Sequence, residues 1–162
     1  MNTEERRGTD ADTHTDTDTH TDTDAEFVRF WQERRLCFLS TQRADGTPHL
    51  VPVGVTYDHA TRTARVITGG ATAKARNVRR AERPVVAVSQ VDGRHWSTLE
   101  GVATVRDDAE TVRDAETRYA ARYRQPRANP ERVVIEIAVR RFLGTVRPLA
   151  PSGGGAPGGL EG

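Results

Sequence analysis

Two Asp-Gly pairs, Asp45-Gly46 and Asp92-Gly93, constrain what this chain can fold into more than any other feature. Each lies between runs rich in β-branched residues, and Asp-Gly in that setting is the sequence of a tight hairpin turn. The first pair joins a strand over 36–41 to a returning strand over 49–57; the second joins strands over 84–91 and 95–105. In the returning strand Val51, Val53, Val55 and Tyr57 share one face, with Leu50, Pro52, Gly54 and Thr56 on the other. Pro52 has no N–H for a ladder, so the strand is an edge or is interrupted there. Its small, polar far side leaves room for a flat ligand.

Further strands are predicted up to Thr68, over 132–139 and over 141–146. Phe27, Phe30 and Trp31 recur at helical spacing and predict a helix over 26–35. A second helix is predicted from 107 to about 124, with Asp107 and Asp108 where a cap and first-turn acids belong. Val112, Ala115, Tyr119 and Tyr123 form its apolar stripe, and the two tyrosines read as packing residues. Six to seven strands, with hairpins outnumbering crossovers, give a mainly β fold with inserted helices. It is an antiparallel barrel or closed sheet, not a doubly wound α/β fold.

The chain has 162 residues, enough for one domain with a real core. Residues 1–25 alternate Thr and Asp with His14 and His20 interspersed, and residues 148–162 are Pro/Gly-rich; both are expected to be disordered, leaving a domain over 26–147. Residues 1–26 carry nine acidic and two basic side chains, net −7, whereas 27–162 carry 22 basic and 14 acidic, net +8. A mildly basic domain suits a small anionic ligand, and without interleaved aromatic and basic residues nucleic acid binding is not expected. The single cysteine, Cys37, excludes an internal disulfide and reads as a buried, inert thiol. No apolar run has the length of a membrane span, no signal-peptide pattern opens the chain and no metal-ligand cluster occurs in the domain. The expected location is cytoplasmic.

The densest functional signal runs from Thr68 to Arg80: a strand end, Gly69-Gly70, then a helix opening at Thr72 as N-cap. A helix N-terminus favours an anion, and Lys74 and Asn77 fall three apart on one face, with Arg76, Arg79 and Arg80 nearby. The run reads as a phosphate seat. Composition alone also allows a solvated basic helix face.

The run Leu39-Ser40-Thr41-x-x-x-Asp45-Gly46-x-Pro48-His49-x-Val51-Pro52-Val53 resembles the first hairpin of the pyridoxamine 5′-phosphate oxidase-like split β-barrels of the FMN-binding type. The segment Thr68-x-x-x-Thr72-x-Lys74-x-Arg76-Asn77-Val78-Arg79-Arg80 resembles their cofactor-phosphate segment, and Leu99-Glu100-Gly101-x-Ala103 the strand after the second hairpin. The resemblance covers about 26–146. It implies a homodimer with the cofactor at the interface, its ring against Val51, Pro52 and Val53 and its phosphate held by Thr68, Thr72, Lys74, Arg76 and Asn77.

Relatives that use flavin mononucleotide (FMN) tend to place an arginine directly before the lysine and another on the second strand. Here the first position is Ala73, and His49-Leu50-Val51 offers none for the second. Lysine does not replace a bidentate guanidinium clamp. The pattern resembles the branch using coenzyme F420, a deazaflavin whose tail suits the spread charge of Arg79 and Arg80. The implied activity is an F420-dependent oxidoreductase, reductive in direction, acting on a small organic substrate. An FMN oxidase or reductase, or a non-catalytic flavin- or haem-binding module with His49, His59 or His95 as ligand, are the alternatives. No acid or base is singled out; Trp96 reads as a ring cap from the partner subunit or as core.

Overall fold

A computed structural model describes residues 16–149, and for residues 16–22 the backbone alone. Seven strands, β1 (Cys37–Gln42), β2 (Pro48–Val53), β3 (Thr56–Asp58), β4 (Thr63–Gly69), β5 (Val85–Asp92), β6 (His95–Arg106) and β7 (Arg132–Gly144), alternate with helices α1 (Asp16–Gln32), α2 (Ala73–Arg80) and α3 (Ala109–Arg122). They form one antiparallel sheet in the order β2-β1-β5-β6-β7-β4-β3. Its two edge strands, β2 and β3, are consecutive in sequence and joined through Gly54 and Val55. The sheet therefore curls round on itself as a split β-barrel, as expected. Both Asp-Gly turns form, with Gly46 at φ 85° and Gly93 at φ 58°, conformations that glycine adopts without strain.

The barrel interior is filled by Leu39, Val66, Val88, Leu99, Ile135 and Ile137, and Phe27, Phe30 and Trp31 of α1 close it. Trp31 is buried, and its indole N–H donates to Ser97 Oγ at 3.0 Å, so no polar atom is stranded by its burial. Truncating an aromatic at such a position costs about 3–5 kcal/mol.

Four expectations are corrected. Helix α1 starts at Asp16 rather than residue 26, taking in 16–25 of the run expected to be disordered. Once the buried aromatics fix one turn, adding residues upstream costs little. Asp24 also accepts a hydrogen bond from the Leu149 N–H at 3.2 Å, tying in the start of the C-terminal tail. The rest of both tails lies outside the described residues. Next, the strand expected over 49–57 is two strands broken at Gly54-Val55. There the Val55 N–H donates to the Tyr123 hydroxyl at 3.0 Å and its carbonyl accepts from Arg122 at 2.5 Å, in place of a ladder. Pro52 does fall on an edge strand.

The two strands expected over 132–146 are one, β7. Its register steps from Glu100↔Arg141 to Gly101↔Val139, so Arg140 is an extra residue in a bulge. Finally, α3 is shorter than expected, with Asp108 as its N-cap: its carboxylate accepts from the Thr111 N–H at 3.1 Å.

Candidate functional site

The strand-to-helix turn between β4 and α2 carries the residues expected to hold a phosphate. Thr72 occupies the N-cap position but does not cap: its hydroxyl donates back to the Gly69 carbonyl at 2.9 Å and lies 3.1 Å from Thr68 Oγ1. The first turn of α2 has no side-chain cap and no acidic residue, so its N–H groups keep their pull on an anion. Lys74, in that turn, is half-buried and its ammonium has no hydrogen-bond or ion-pair partner among the described residues. Burial lowers its pKa from the ordinary lysine value of 10.5.

The other basic residues of α2 face carbonyls. Arg76 donates to Ala71 O, and Arg79 to Gly70 O at 2.6 Å, closing the glycine turn. Asn77 is buried and donates to Thr41 Oγ1 at 3.0 Å, tying α2 to β1. Arg80 donates to Asn77 Oδ1 at 3.3 Å and to Gln42 O at 2.7 Å. Arg79 and Arg80 thus build the turn and anchor the helix, where a spread anion-binding surface was expected.

A cavity of about 360 Å³ opens between β2, the end of β4, α2 and the segment after α3. Of the expected residues, Pro52, Val53 and Lys74 line it; Val51, Thr68, Thr72, Arg76 and Asn77 do not. Val51 packs against the core, Thr68, Thr72 and Arg76 form the turn behind Lys74, and Asn77 ties α2 to β1. The sequence reading missed the opposite wall, made by Tyr119, Arg124, Gln125, Arg127 and Arg132, while Gly54 continues the β2 side. Arg132 is taken up by Glu116 and by Arg127 O at 2.7 Å, whereas the side chains of Arg124 and Arg127 have no partner among the described residues. The density of arginine between 122 and 132 was the available signal; it was passed over because the segment reads as a loop.

On the β2 side, a Cβ on Gly54 would stand 2.6 Å from a Tyr119 ring carbon and 3.1 Å from one of Tyr123, so any side chain there would have to displace the Tyr119 ring. Of the histidines, His49 has its Nδ1 buried without a partner, His59 lies 3.2 Å from Tyr57 OH and 3.9 Å from Asp24, and His95 is exposed. None lines the cavity, nor does Trp96, which is 40% exposed. Cys37 is buried, and burial raises its pKa, as suits an unreactive thiol.

An uncapped helix N-terminus, an unpaired half-buried lysine and an apolar strand beside it fit a flat cofactor with an anionic arm. Residues 23–145 match the pyridoxamine 5′-phosphate oxidase family. The chain belongs to this family. An F420H2-dependent biliverdin reductase of Mycobacterium tuberculosis (strain CDC 1551 / Oshkosh) is 55% identical over 119 residues, covering 73% of this chain and 85% of that protein. Two solved structures share the split barrel. A conserved hypothetical protein of Mycobacterium tuberculosis superposes with a TM-score of 0.64 at 25% identity, over 80% of this chain and 91% of that one. An F420 reductase superposes with a TM-score of 0.59 at 22% identity, over 71% of this chain and 94% of that one.

Proposed function

We propose that this member of the pyridoxamine 5′-phosphate oxidase family is a coenzyme F420-dependent oxidoreductase working in the reductive direction. The observation that carries the reading is Lys74, an unpaired half-buried ammonium at the uncapped start of α2, in a chain 55% identical to a reductase that uses the reduced coenzyme. Ala73 in place of an arginine weighs against FMN, whose terminal phosphate wants a bidentate clamp. Bound, the deazaflavin supplies the hydride.

The chain's own residues bind and orient. Lys74 and the first-turn N–H groups of α2 hold the phosphate; Thr68, Thr72 and Arg76 fix the turn that presents them, and Asn77 anchors the helix to β1. Pro52 and Val53 form the floor for the ring, supported by Val51, and Tyr119 walls the cavity opposite. Arg124 and Arg127 at the mouth suit carboxylates, so a carboxylated, conjugated substrate of the biliverdin class fits this end. A second copy of the chain covers the outward face of β2, β1 and β5, where Phe38, Leu50 and Val85 are 41%, 63% and 66% exposed. Light scattering is expected to give twice the chain mass; a monomer at micromolar concentration would remove the dimer from this proposal.

Fluorescence titration tests the cofactor. The protein is expected to bind coenzyme F420 and not FMN, and Lys74→Ala to weaken binding about tenfold or more with unchanged thermal unfolding. Because burial lowers the Lys74 pKa, affinity should fall on the alkaline side before pH 10.5, where an ordinary lysine would lose its charge. Preference for FMN, or full affinity in Lys74→Ala, would overturn the reading.

A further inference from the structure

Arg122 is buried, yet its guanidinium pairs with no carboxylate among the described residues. Its guanidinium donates to Glu33 O from Nε at 3.0 Å and from Nη2 at 2.8 Å, to Gln90 Oε1 at 2.6 Å and to Val55 O at 2.5 Å. Gln90 is held in turn, its Nε2 donating to Phe30 O at 2.8 Å. The neighbouring Tyr123 hydroxyl accepts from the Val55 N–H at 3.0 Å and donates to Arg35 O at 2.8 Å. Both polar groups of Val55's backbone are therefore gripped by two consecutive side chains of the α3 end, 67 and 68 residues away.

A buried cation whose hydrogen bonds all go to neutral acceptors is costly even with the Trp31 and Tyr123 rings 5.7 and 5.1 Å from its guanidinium carbon, and an apolar side chain would fill the same space at less cost. The arrangement is explained by what it grips. Val55 lies at the break between β2 and β3, and the three residues before it, Pro52, Val53 and Gly54, are the stretch of β2 side that lines the cavity. Tyr119, one turn earlier on α3, lines the same cavity and stands 2.6 Å from the Cβ position of Gly54. Helix α3 thus presses on Gly54 from one residue and pulls on Val55 from two others.

We propose that Arg122 and Tyr123 are positioning residues: acting through Val55, they set where the Pro52–Gly54 backbone lies and so where a planar ligand ring rests. The placement of the backbone stands on this geometry; its consequence for ring binding rests on the function proposed above. Burial holds the Tyr123 phenol well above its usual range, so the hydroxyl keeps the proton it donates. The phosphate seat on α2 shares none of these bonds and is independent of them.

Tyr123→Phe removes the hydroxyl and keeps the ring, so the variant folds. In the ligand-free variant, amide hydrogen exchange is expected to quicken about tenfold at Val53 and Gly54 and to stay unchanged along α2. Affinity for the deazaflavin chromophore lacking its phosphate should fall by about the same factor, while affinity for inorganic phosphate stays that of the parent. Arg122→Lys, which keeps the charge without the fork, should move the same amides. Unchanged exchange at Val53 and Gly54 would overturn the proposal, as would a loss falling equally on chromophore and inorganic phosphate. A parent protein that binds no deazaflavin would instead refute the function, and the exchange measurement alone would then decide the positioning role.

Discussion

Two walls of this barrel are built differently. β6 and β7 pair over most of their length, from Ser97↔Gly144 to Arg106↔Val134, and the one irregularity, at Arg140, is absorbed by the ladder itself. At the other wall, β2 and β3 do not pair with each other, and Gly54 and Val55 between them are held by side chains of α3. The first wall is maintained by its backbone ladder. The second depends on a few named atoms, and it is the wall that borders the cavity. Keeping the barrel and shaping the site are thus tasks of different regions, and substitutions should separate them.

Gly101→Ala should have the largest effect. Its Cβ would lie 2.1 Å from the Ala138 carbonyl oxygen and 3.0 Å from Val139 Cα, backbone atoms of the ladder that cannot move aside. A loss of about 3 kcal/mol or more, or failure to fold, is expected in chemical denaturation. Gly54→Ala makes the matching change in the other wall. The nearest atom, 2.6 Å away, is a Tyr119 ring carbon at the end of a side chain that can turn, so the cost should be about 1–2 kcal/mol, with deazaflavin binding losing more than the fold. If Gly54→Ala destabilised the protein as much as Gly101→Ala, the division between the walls would be wrong.

The smallest effect is expected at the far end of α3. Hydrogen bonds from the Thr111 hydroxyl and backbone N–H lower the Asp108 pKa from 3.8 to about 2. A carboxyl with a depressed folded-state pKa stabilises fully above its unfolded value and loses that contribution as pH falls through the folded one. Asp108→Ala should therefore unfold at lower temperature than the parent at pH 5, with the difference vanishing as pH approaches 2. Ring binding should hardly change, because the cap lies at the opposite end of α3 from Arg122 and Tyr123.

Local features were legible in both walls, whereas the continuity of β7 through its bulge at Arg140 was not. Asp45-Gly46 and Asp92-Gly93 declare their hairpins, and the aromatics of α1 declare themselves as core. The helix after Thr72 was legible too, because its glycines and basic run are local in sequence. The direction of the Thr72 hydroxyl was not, since Thr68 and Gly69 compete for it with the helix. The break at Val55 was illegible for a stronger reason. The alternation Val51, Val53, Val55, Tyr57 runs straight through it, and the groups that interrupt it lie in α3. Tyr119 and Tyr123 were read as a packing stripe, which is how such residues look until the strand they lean on carries a glycine.

β2 leaves the sheet with a free edge, and two of its six residues are Pro48 and Pro52. An unpaired strand edge is ordinarily a template on which a strand of another chain can grow, the first step of edge-to-edge aggregation. Proline has no N–H to offer such a strand, and its ring stands in the way of the approach. The strand that borders the cavity can therefore remain unpaired along its open side without recruiting a neighbour, and the gap in the barrel stays available to a small molecule.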